Sequence, residues 1–572
     1  MKRESKQLRR VSISLFFLAL MALSVISGCG PSGPGSPAQK PTAVPTAEPI
    51  ILTVPEAVEL AGEYPFRTLL EGAESKLNKA FFKKGSVTAV KTGTHYGFYG
   101  LAKQELAEHG FDMRTTLLGD RIYTTACFLA GSMGFELTET GDQLNFAKGS
   151  VSFTFTVGSD KVDFGTEQLP VYPPQRSGNH VFIDCESFAR VTGQESYFDA
   201  EKGIFLMYPA DIDPDVNEQI ALYEARYELY ERVVYNIDNV ECDTTGSGLY
   251  EPVAFGERQV GIAYTTWHRA SSTWNTSSKW DIPLIGGYRS ENKEVIYQHG
   301  IWLRDAGVDF VFVDWSNDVN YDPATMRSSR DDFRTIEEAT EDLFEVWSTI
   351  PDAPKICIFN GPGHVQQKED TFANGRMKAK CDQIYDTFIA NEEFNKMYYY
   401  YDGKPLMPCY SATPSFNSTD DVYTDDRFTI RWVTGYVGQQ RSLFDAETLV
   451  SRFHWSWEER GAQTFTVFNG QPEAMTVVAS WRKQSKEGQP GYIAPGLRND
   501  GATFRLQWAR ADLIGVKIVL VVSFNEWSLG EQISLENSKD IEPSQTYGTL
   551  YLDIMKEQIK KFKGKTEEYV NR

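Results

Sequence analysis

Between residues 258 and 565 the chain alternates between short apolar runs and longer stretches whose apolar residues recur every three to four positions. The first pattern predicts buried strands, the second helices packed along one face. Strand candidates are 260–266, 308–314, 355–360, 405–410, 429–434, 453–457, 474–480 and 517–524. Helix-period stretches at 294–306, 336–349, 377–394, 446–453 and 501–514 separate many of them. Eight strands so interleaved predict a (β/α)8 barrel of the TIM type over 258–565. Strands five and six are the least defined, because 446–460 also reads as one continuous helix.

Upstream, residues 111–209 predict a duplicated α+β unit. Arg121-Ile122-Tyr123 leads into an apolar helical run ending at Gly134 and a strand pair over 135–146. His180-Val181-Phe182 leads into a similar run ending at Gly193 and a pair over 196–208. The two glycines stand 59 residues apart, and Ile122/Val181, Tyr123/Phe182 and Ala130/Ala189 share that offset. A strand over 151–157 and the turn Gly158-Ser159-Asp160 separate the halves. Together with Val157, that turn, the run Val181-Phe182-Ile183 and Phe198-Asp199-Ala200-Glu201-Lys202-Gly203 resemble the copper amine oxidase N-terminal-like domain. The resemblance implies a stalk module for attachment or spacing, without a copper site. Stretches 71–82 and 101–109 predict a helical N-terminal segment over 56–110, and 213–240 a helical linker within 210–257.

The first 28 residues differ in kind. Lys2, Arg3, Lys6, Arg9 and Arg10 precede an apolar run over 13–26, the pattern of a secretory signal. Ile26-Ser27-Gly28-Cys29 resembles the lipobox of bacterial lipoproteins, which implies cleavage before Cys29 and lipidation of its thiol. The alternatives are an ordinary signal peptide or an uncleaved anchor. Residues 29–55 are proline-rich and read as an extended tether. The expected location is the outer face of a bacterial cell membrane, with cell-wall components as further candidate partners.

Composition narrows the function. With 41 % hydrophobic and 13 % aromatic residues the chain can fill a large core. The net charge is −21, and loss of residues 1–28, with five basic residues and one acidic, takes it to −25. That balance argues against a nucleic-acid partner, whose phosphates require basic residues. The seven cysteines form no C-x-x-C or Cys/His zinc spacing, so neither metal nor cofactor is expected. Six remain once Cys29 carries lipid. Buried free thiols are the default for them, with a Cys127–Cys185 bridge as the alternative.

In such a barrel the reactive groups belong at the C-terminal ends of strands. Strand eight runs from apolar residues into Asn525-Glu526-Trp527. A carboxylate there is partly desolvated and rigidly held, which suits proton transfer. Asn525 would orient a substrate hydroxyl or the carboxylate, and Trp527 would stack on a sugar. Asp314 ends strand two before Trp315, either as a partner acid or as a buried carboxylate serving loop N–H groups. Tyr264, Trp267 and His268 end strand one. Asn317, Asn360, His364, Trp457 and Glu458 are rim candidates.

The run Ser523-Phe524-Asn525-Glu526-Trp527-Ser528-Leu529-Gly530-Glu531-Gln532-Ile533, with Ile541-Glu542-Pro543-Ser544, Tyr547-Gly548 and Tyr551-Leu552, resembles the C-terminal signature of glycoside hydrolase family 99 and its family 71-like relatives. The resemblance implies a barrel acting on α-mannosides or related glycans, with no metal. It also implies that Glu526 assists the substrate's 2-hydroxyl. The family's general acid/base stands three residues later, where this chain has Leu529. Seven additional residues, 534–540, precede Ile541. A replacement acid would be Glu531, Asp314, Glu458 or Glu473, with Glu526, Asp314 and Glu531 as the leading catalytic set and Trp267, Trp315 and Trp527 as sugar platforms. The competing readings are a surface-anchored glycoside hydrolase-like protein, a catalytically silent glycan- or cell-wall-binding barrel, and a surface-assembly protein.

Overall fold

The computed structural model describes residues 50–60, 87–107, 113–210, 212–235, 241–269, 274, 279–316, 321–322, 327–328, 330–361, 375–411, 423–435, 437, 443–452, 454–483, 487–489, 492–527 and 535–564. The signal segment, Cys29, most of the tether and the expected helix at 71–82 lie outside them. Among the described residues no helix is long and apolar enough to cross a membrane.

Eight parallel strands form the C-terminal part: β1 Gln259–Tyr264, β2 Phe310–Asp314, β3 Lys355–Phe359, β4 Lys404–Ser411, β5 Thr429–Thr434, β6 Trp455–Ser456, β7 Gln471–Val477 and β8 Ile518–Val521. Parallel ladders join β1 to both β2 and β8, β2 to β3, β4 to β5, β5 to β6, and β7 to β8. One parallel bridge, Asn360 to Cys409, joins β3 to β4. Between β6 and β7 the Thr476 hydroxyl donates to the Ser456 carbonyl. The ring therefore closes in chain order, and its weakest step is the one where the apolar run is shortest. There, Phe465–Phe468 pairs antiparallel with β7.

Helices α1 Lys293–Ala306, α2 Asp331–Trp347, α3 Arg376–Ile384, α4 Ala502–Ile514 and α5 Leu550–Phe562 follow β1, β2, β3, β7 and β8. Asn292 caps α1 by accepting from the Glu294 N–H, and Gly307 ends it at φ +84°. The helix expected over 446–453 does not form. Asp445 instead accepts from the N–H groups of Glu447 and Thr448, Leu449 takes φ +58°, and Val450–Ser451 pairs as a strand. The continuous helix over 446–460 is excluded with it.

Among the described residues the N-terminal half holds three antiparallel sheets. The strand–helix–strand-pair pattern occurs twice: Arg121–Thr125, Ala126–Met133, Glu136–Thr140 and Gln143–Lys148, then His180–Asp184, Cys185–Val191, Gln194–Asp199 and Ile204–Pro209. The side chains of Thr125 and Asp184 cap the two helices at equivalent positions. Cys127 and Cys185 are both free thiols, so no bridge links the halves.

The segment 56–110 was expected to be helical, but its described part is a strand meander. Thr88–Lys91, Tyr96–Tyr99 and Ala102–Glu105 extend the sheet of Ile204–Pro209. The strand Ile204–Pro209 is apolar on both faces because both are covered. Phe205 and Met207 enter the core of the duplicated unit, while Ile204 and Leu206 enter the core shared with the barrel. Helix Val216–Val233 forms inside the stretch read as a helical linker and fills that second face with Ile220, Tyr223, Tyr227, Tyr230 and Val233. Tyr230 donates to Asp553 of α5 at 3.0 Å, and the Lys103 N–H donates to Thr549 at 3.0 Å. The N-terminal sheets and the barrel are thus continuous through one core rather than separated by a spacer.

Candidate active site

Strand β8 carries the chain to the barrel mouth, through a cis peptide between Val522 and Ser523. Phe524 stays on the ladder, its N–H donating to the Ala263 carbonyl at 2.8 Å. Asn525 is buried and fully engaged. Its Oδ1 accepts from the Thr265 N–H at 2.8 Å, and its Nδ2 donates to the Thr265 carbonyl at 3.1 Å and to the Tyr288 hydroxyl at 3.3 Å. The expectation that Asn525 orients substrate is corrected: it welds the end of β8 to the end of β1.

Two buried carboxylates that the sequence reading did not single out hold the next turn. Asp540 accepts from the N–H groups of Glu526 at 2.7 Å and Trp527 at 2.9 Å, and from Trp280 Nε1 at 2.7 Å. Glu542 accepts from Tyr288 at 2.8 Å and from Trp527 Nε1, and its Oε1 lies 3.0 Å from His299 Nε2. His299 Nδ1 in turn meets the Tyr264 hydroxyl at 2.8 Å. Trp527 is fully buried at φ +56°, stacked on Trp280 at 4.7 Å between centroids. It therefore has no face for a sugar. Tyr264, buried against Phe524 and engaged with His299, belongs to the same support.

His268 is also part of the support. It is buried, with Nε2 2.9 Å from the Asn525 carbonyl. Burial, with the Lys279 charge nearby, lowers its pKa to about 3. The neutral ring must then donate through Nε2, since a carbonyl only accepts. Trp315 is buried too; its Nε1 donates to Thr340 at 3.0 Å and its edge meets Phe388, so it faces the helices instead of the mouth. Asn360 points its amide at the sulfurs of Met377 and Met407, at 3.7 and 3.9 Å. As a rim contact it is excluded. Trp267 is half-buried beside His268. Asn317, His364, Leu529 and Glu531 lie outside the described residues.

Glu526 is what the turn presents. Its side chain keeps 23 % of its exposure and opens into a cleft. Residues following three strands line that cleft: Glu458 after β6, Trp481 and Arg482 after β7, and Glu526, Lys539 and Asp540 after β8. All stand at the C-terminal rim, the reactive end of parallel barrels. Lys539 Nζ is 2.7 Å from Glu526 Oε2 and 3.2 Å from Glu458 Oε2. Those two oxygens are therefore at most about 5.9 Å apart, the sum of the two legs. Trp457 carries the Lys539 ammonium at 5.7 Å from its ring centre and stacks on Phe359 at 4.9 Å.

The acids of the mouth are pushed in opposite directions. Burial raises the Asp314 carboxyl above its ordinary value; bonds from Ser316 oppose this, and the Glu526 charge adds to it. Burial also acts upward on Glu458, but Lys539 and Arg460 outweigh it and leave the group below its ordinary value. Divergence of this kind separates the proton affinities of neighbouring acids. Glu473, another candidate replacement acid, starts β7 at the opposite rim, bound to Arg431 at 2.8 Å and Trp455 at 2.9 Å. It takes no part in the mouth. Among the described residues no group of three or more His, Cys, Asp or Glu is arranged to hold a metal.

No family model matches the chain. No curated protein matches it either. Among solved structures, a GH99 endo-α-mannosidase from Bacteroides thetaiotaomicron in complex with bis-tris-propane is similar at 14 % identity and TM-score 0.37, over 54 % of this chain and 98 % of that one. A second structure of a GH99 endo-α-mannosidase from the same organism gives 13 % identity and TM-score 0.36, with coverages of 54 % and 98 %. A glycoside hydrolase-like protein gives 15 % identity and TM-score 0.33, with coverages of 54 % and 95 %. Likenesses this distant leave the chemistry of the mouth to be argued from its own geometry.

Proposed function

We propose that the chain is a glycoside hydrolase-like protein whose barrel acts on α-mannan-type or related polysaccharide. The observation that carries this reading is a half-open Glu526 in a cleft at the C-terminal rim, with Glu458 within about 5.9 Å and the raised acid Asp314 nearby. Glycoside hydrolysis needs one carboxyl that gives a proton to the leaving oxygen and one carboxylate that meets the charge developing at the anomeric carbon. In this reading Asp314 gives the proton as the glycosidic bond breaks, and Glu526, as carboxylate, assists at the sugar. Water supplies the new hydroxyl, and its proton restores Asp314. Trp481 is the aromatic side chain that lines the cleft where a saccharide would lie. Lipid on Cys29 would anchor the chain to the outer face of a bacterial membrane, with the duplicated unit as a stalk-type module.

A silent glycan-binding barrel is the second reading. The 2.7 Å pairing of Glu526 with Lys539 favours it, because a neutralised carboxylate is a weaker catalyst. Incubating the full chain with α-mannan and with yeast and bacterial glycans, beside Glu526→Gln, separates the two. Release of oligosaccharide by the wild type alone supports hydrolysis. Retention of glycan by both proteins without product supports binding. Equal release by both removes Glu526 from the mechanism.

A further inference from the structure

Lys539 sits in the seven-residue stretch 534–540 that sets this chain apart from the family pattern it resembles. Its ammonium touches two carboxylates of the cleft, Glu458 and Glu526, and lies over the Trp457 ring. A lysine ammonium has three donors and no acceptor, so it can satisfy two carboxylates at once and keep them from repelling each other. Without a cation between them, two carboxylates at most about 5.9 Å apart could not both stay ionised at low cost.

We infer that Lys539 is a positioning residue: it bridges Glu458 to Glu526 across the cleft and fixes the Glu526 carboxylate at the mouth. The inference rests on the glycan reading above for its consequence in turnover, but the bridge itself has its own readout. The charged groups facing it come from every side of the mouth. They are Glu458 and Arg460 after β6, Arg482 after β7, Glu526 and Asp540 after β8, Asp314 at the end of β2, and Lys279 before α1. Arg460 holds one oxygen of Glu458 at 3.1 Å. Lys279 adds positive charge near Glu526.

The test compares wild type, Lys539→Met and Lys539→Arg in the full chain. Lys539 helps hold the Glu458 carboxyl below its ordinary value, so loss of the cation raises that group, and the acid limb of the glycan-turnover or glycan-binding profile should move up by about one pH unit or more in Lys539→Met. Lys539→Arg, which keeps the charge, should hold the limb within a fraction of that shift. Melting temperature against pH is the readout independent of glycan. The wild-type advantage over Lys539→Met should be full near neutral pH and shrink as pH falls through the carboxylate range, where protonation of Glu458 removes from the wild type a bridge that the variant never has. Should Lys539→Met fail to fold, Glu458→Gln cuts the same bridge from its other end and should flatten the same pH dependence. Parallel melting curves and an unmoved acid limb overturn the inference and leave Lys539 as packing. Curves that diverge with pH in a protein that neither binds nor cleaves glycan overturn the glycan reading instead, with the bridge intact.

Discussion

Asn525 and Thr265 exchange two hydrogen bonds, Thr265 N–H to Asn525 Oδ1 at 2.8 Å and Asn525 Nδ2 to the Thr265 carbonyl at 3.1 Å. The side-chain amide takes the place of one more residue of parallel ladder, past the point where β8 has turned away from β1. Glu526 thereby leaves a strand end that is still tied to its neighbour. Asn525→Ala would leave the Thr265 N–H and carbonyl buried and unpaired, at a cost of about 2–4 kcal/mol. Asn525→Asp would be worse, with a carboxylate against the Thr265 carbonyl. Urea denaturation of the three proteins tests that order, and a variant Asp as stable as wild type would contradict it.

Asp540 predicts a second effect. It accepts the two successive backbone N–H groups that shape the turn carrying Glu526, together with the Trp280 indole. In Asp540→Asn one acceptor becomes an NH2 directed at N–H groups, so donors face donors. A loss of about 2–3 kcal/mol follows, with less glycan turnover because the turn no longer fixes Glu526. Thermal melting beside an activity assay checks both; an unchanged melting point would show that the turn holds without Asp540.

The eight barrel strands were legible because strands buried on both faces read as unbroken apolar runs, Ile518–Val521 most clearly. The elements that misled obey local rules that distant contacts override. Residues 101–109 carry helix-spaced apolar positions, yet Ala102–Glu105 pairs with Tyr96–Tyr99, whose other neighbour, Thr88–Lys91, is bound to a strand over a hundred residues away. At the site, sequence located Glu526 but not the roles around it. Whether Trp527 is a platform or a core residue depends on Trp280, nearly 250 positions upstream, which stacks on it. Lys539 and Asp540 lie in a polar stretch with no periodicity, and only the folded chain shows that one closes over the cleft and the other is buried beneath the turn. The two candidate sugar platforms lost, Trp315 and Trp527, were read from their place next to a strand end. That place does not say which way an indole turns.

The shared core between the N-terminal sheets and the barrel makes a thermodynamic prediction. Leu206 lies on the face of Ile204–Pro209 turned toward helix Val216–Val233 and is fully buried. Leu206→Ala should cost about 2–5 kcal/mol, the range for a large-to-small change in a packed core. Because the core is continuous, calorimetry should show one transition, displaced as a whole. A low-temperature transition moving alone, with the barrel melting unchanged, would mean that the N-terminal half unfolds independently.

Asp314 gives the prediction in which stability and function part. Its folded pKa lies above the ordinary 3.8, mainly because burial penalises the charge. Below 3.8 the group is neutral in both folded and unfolded chains and has no effect. As pH rises through the folded value the native state must ionise a buried acid that the unfolded chain ionises freely, so this contribution to stability is lost upward, in contrast to the usual salt-bridged aspartate. Asp314→Asn removes the charge, and its Oδ1 can still accept from the Ser316 N–H, a bond of 2.8 Å in the native protein. The variant should therefore be more stable than wild type at pH 7, by about 1 kcal/mol, with the gain fading toward pH 4. Its glycan hydrolysis should fall, since an amide has no proton to give to a leaving oxygen. Melting curves between about pH 4 and 8 decide the first point and product release the second. A variant that is less stable at every pH and hydrolyses glycan as well as wild type would make Asp314 a structural acid only.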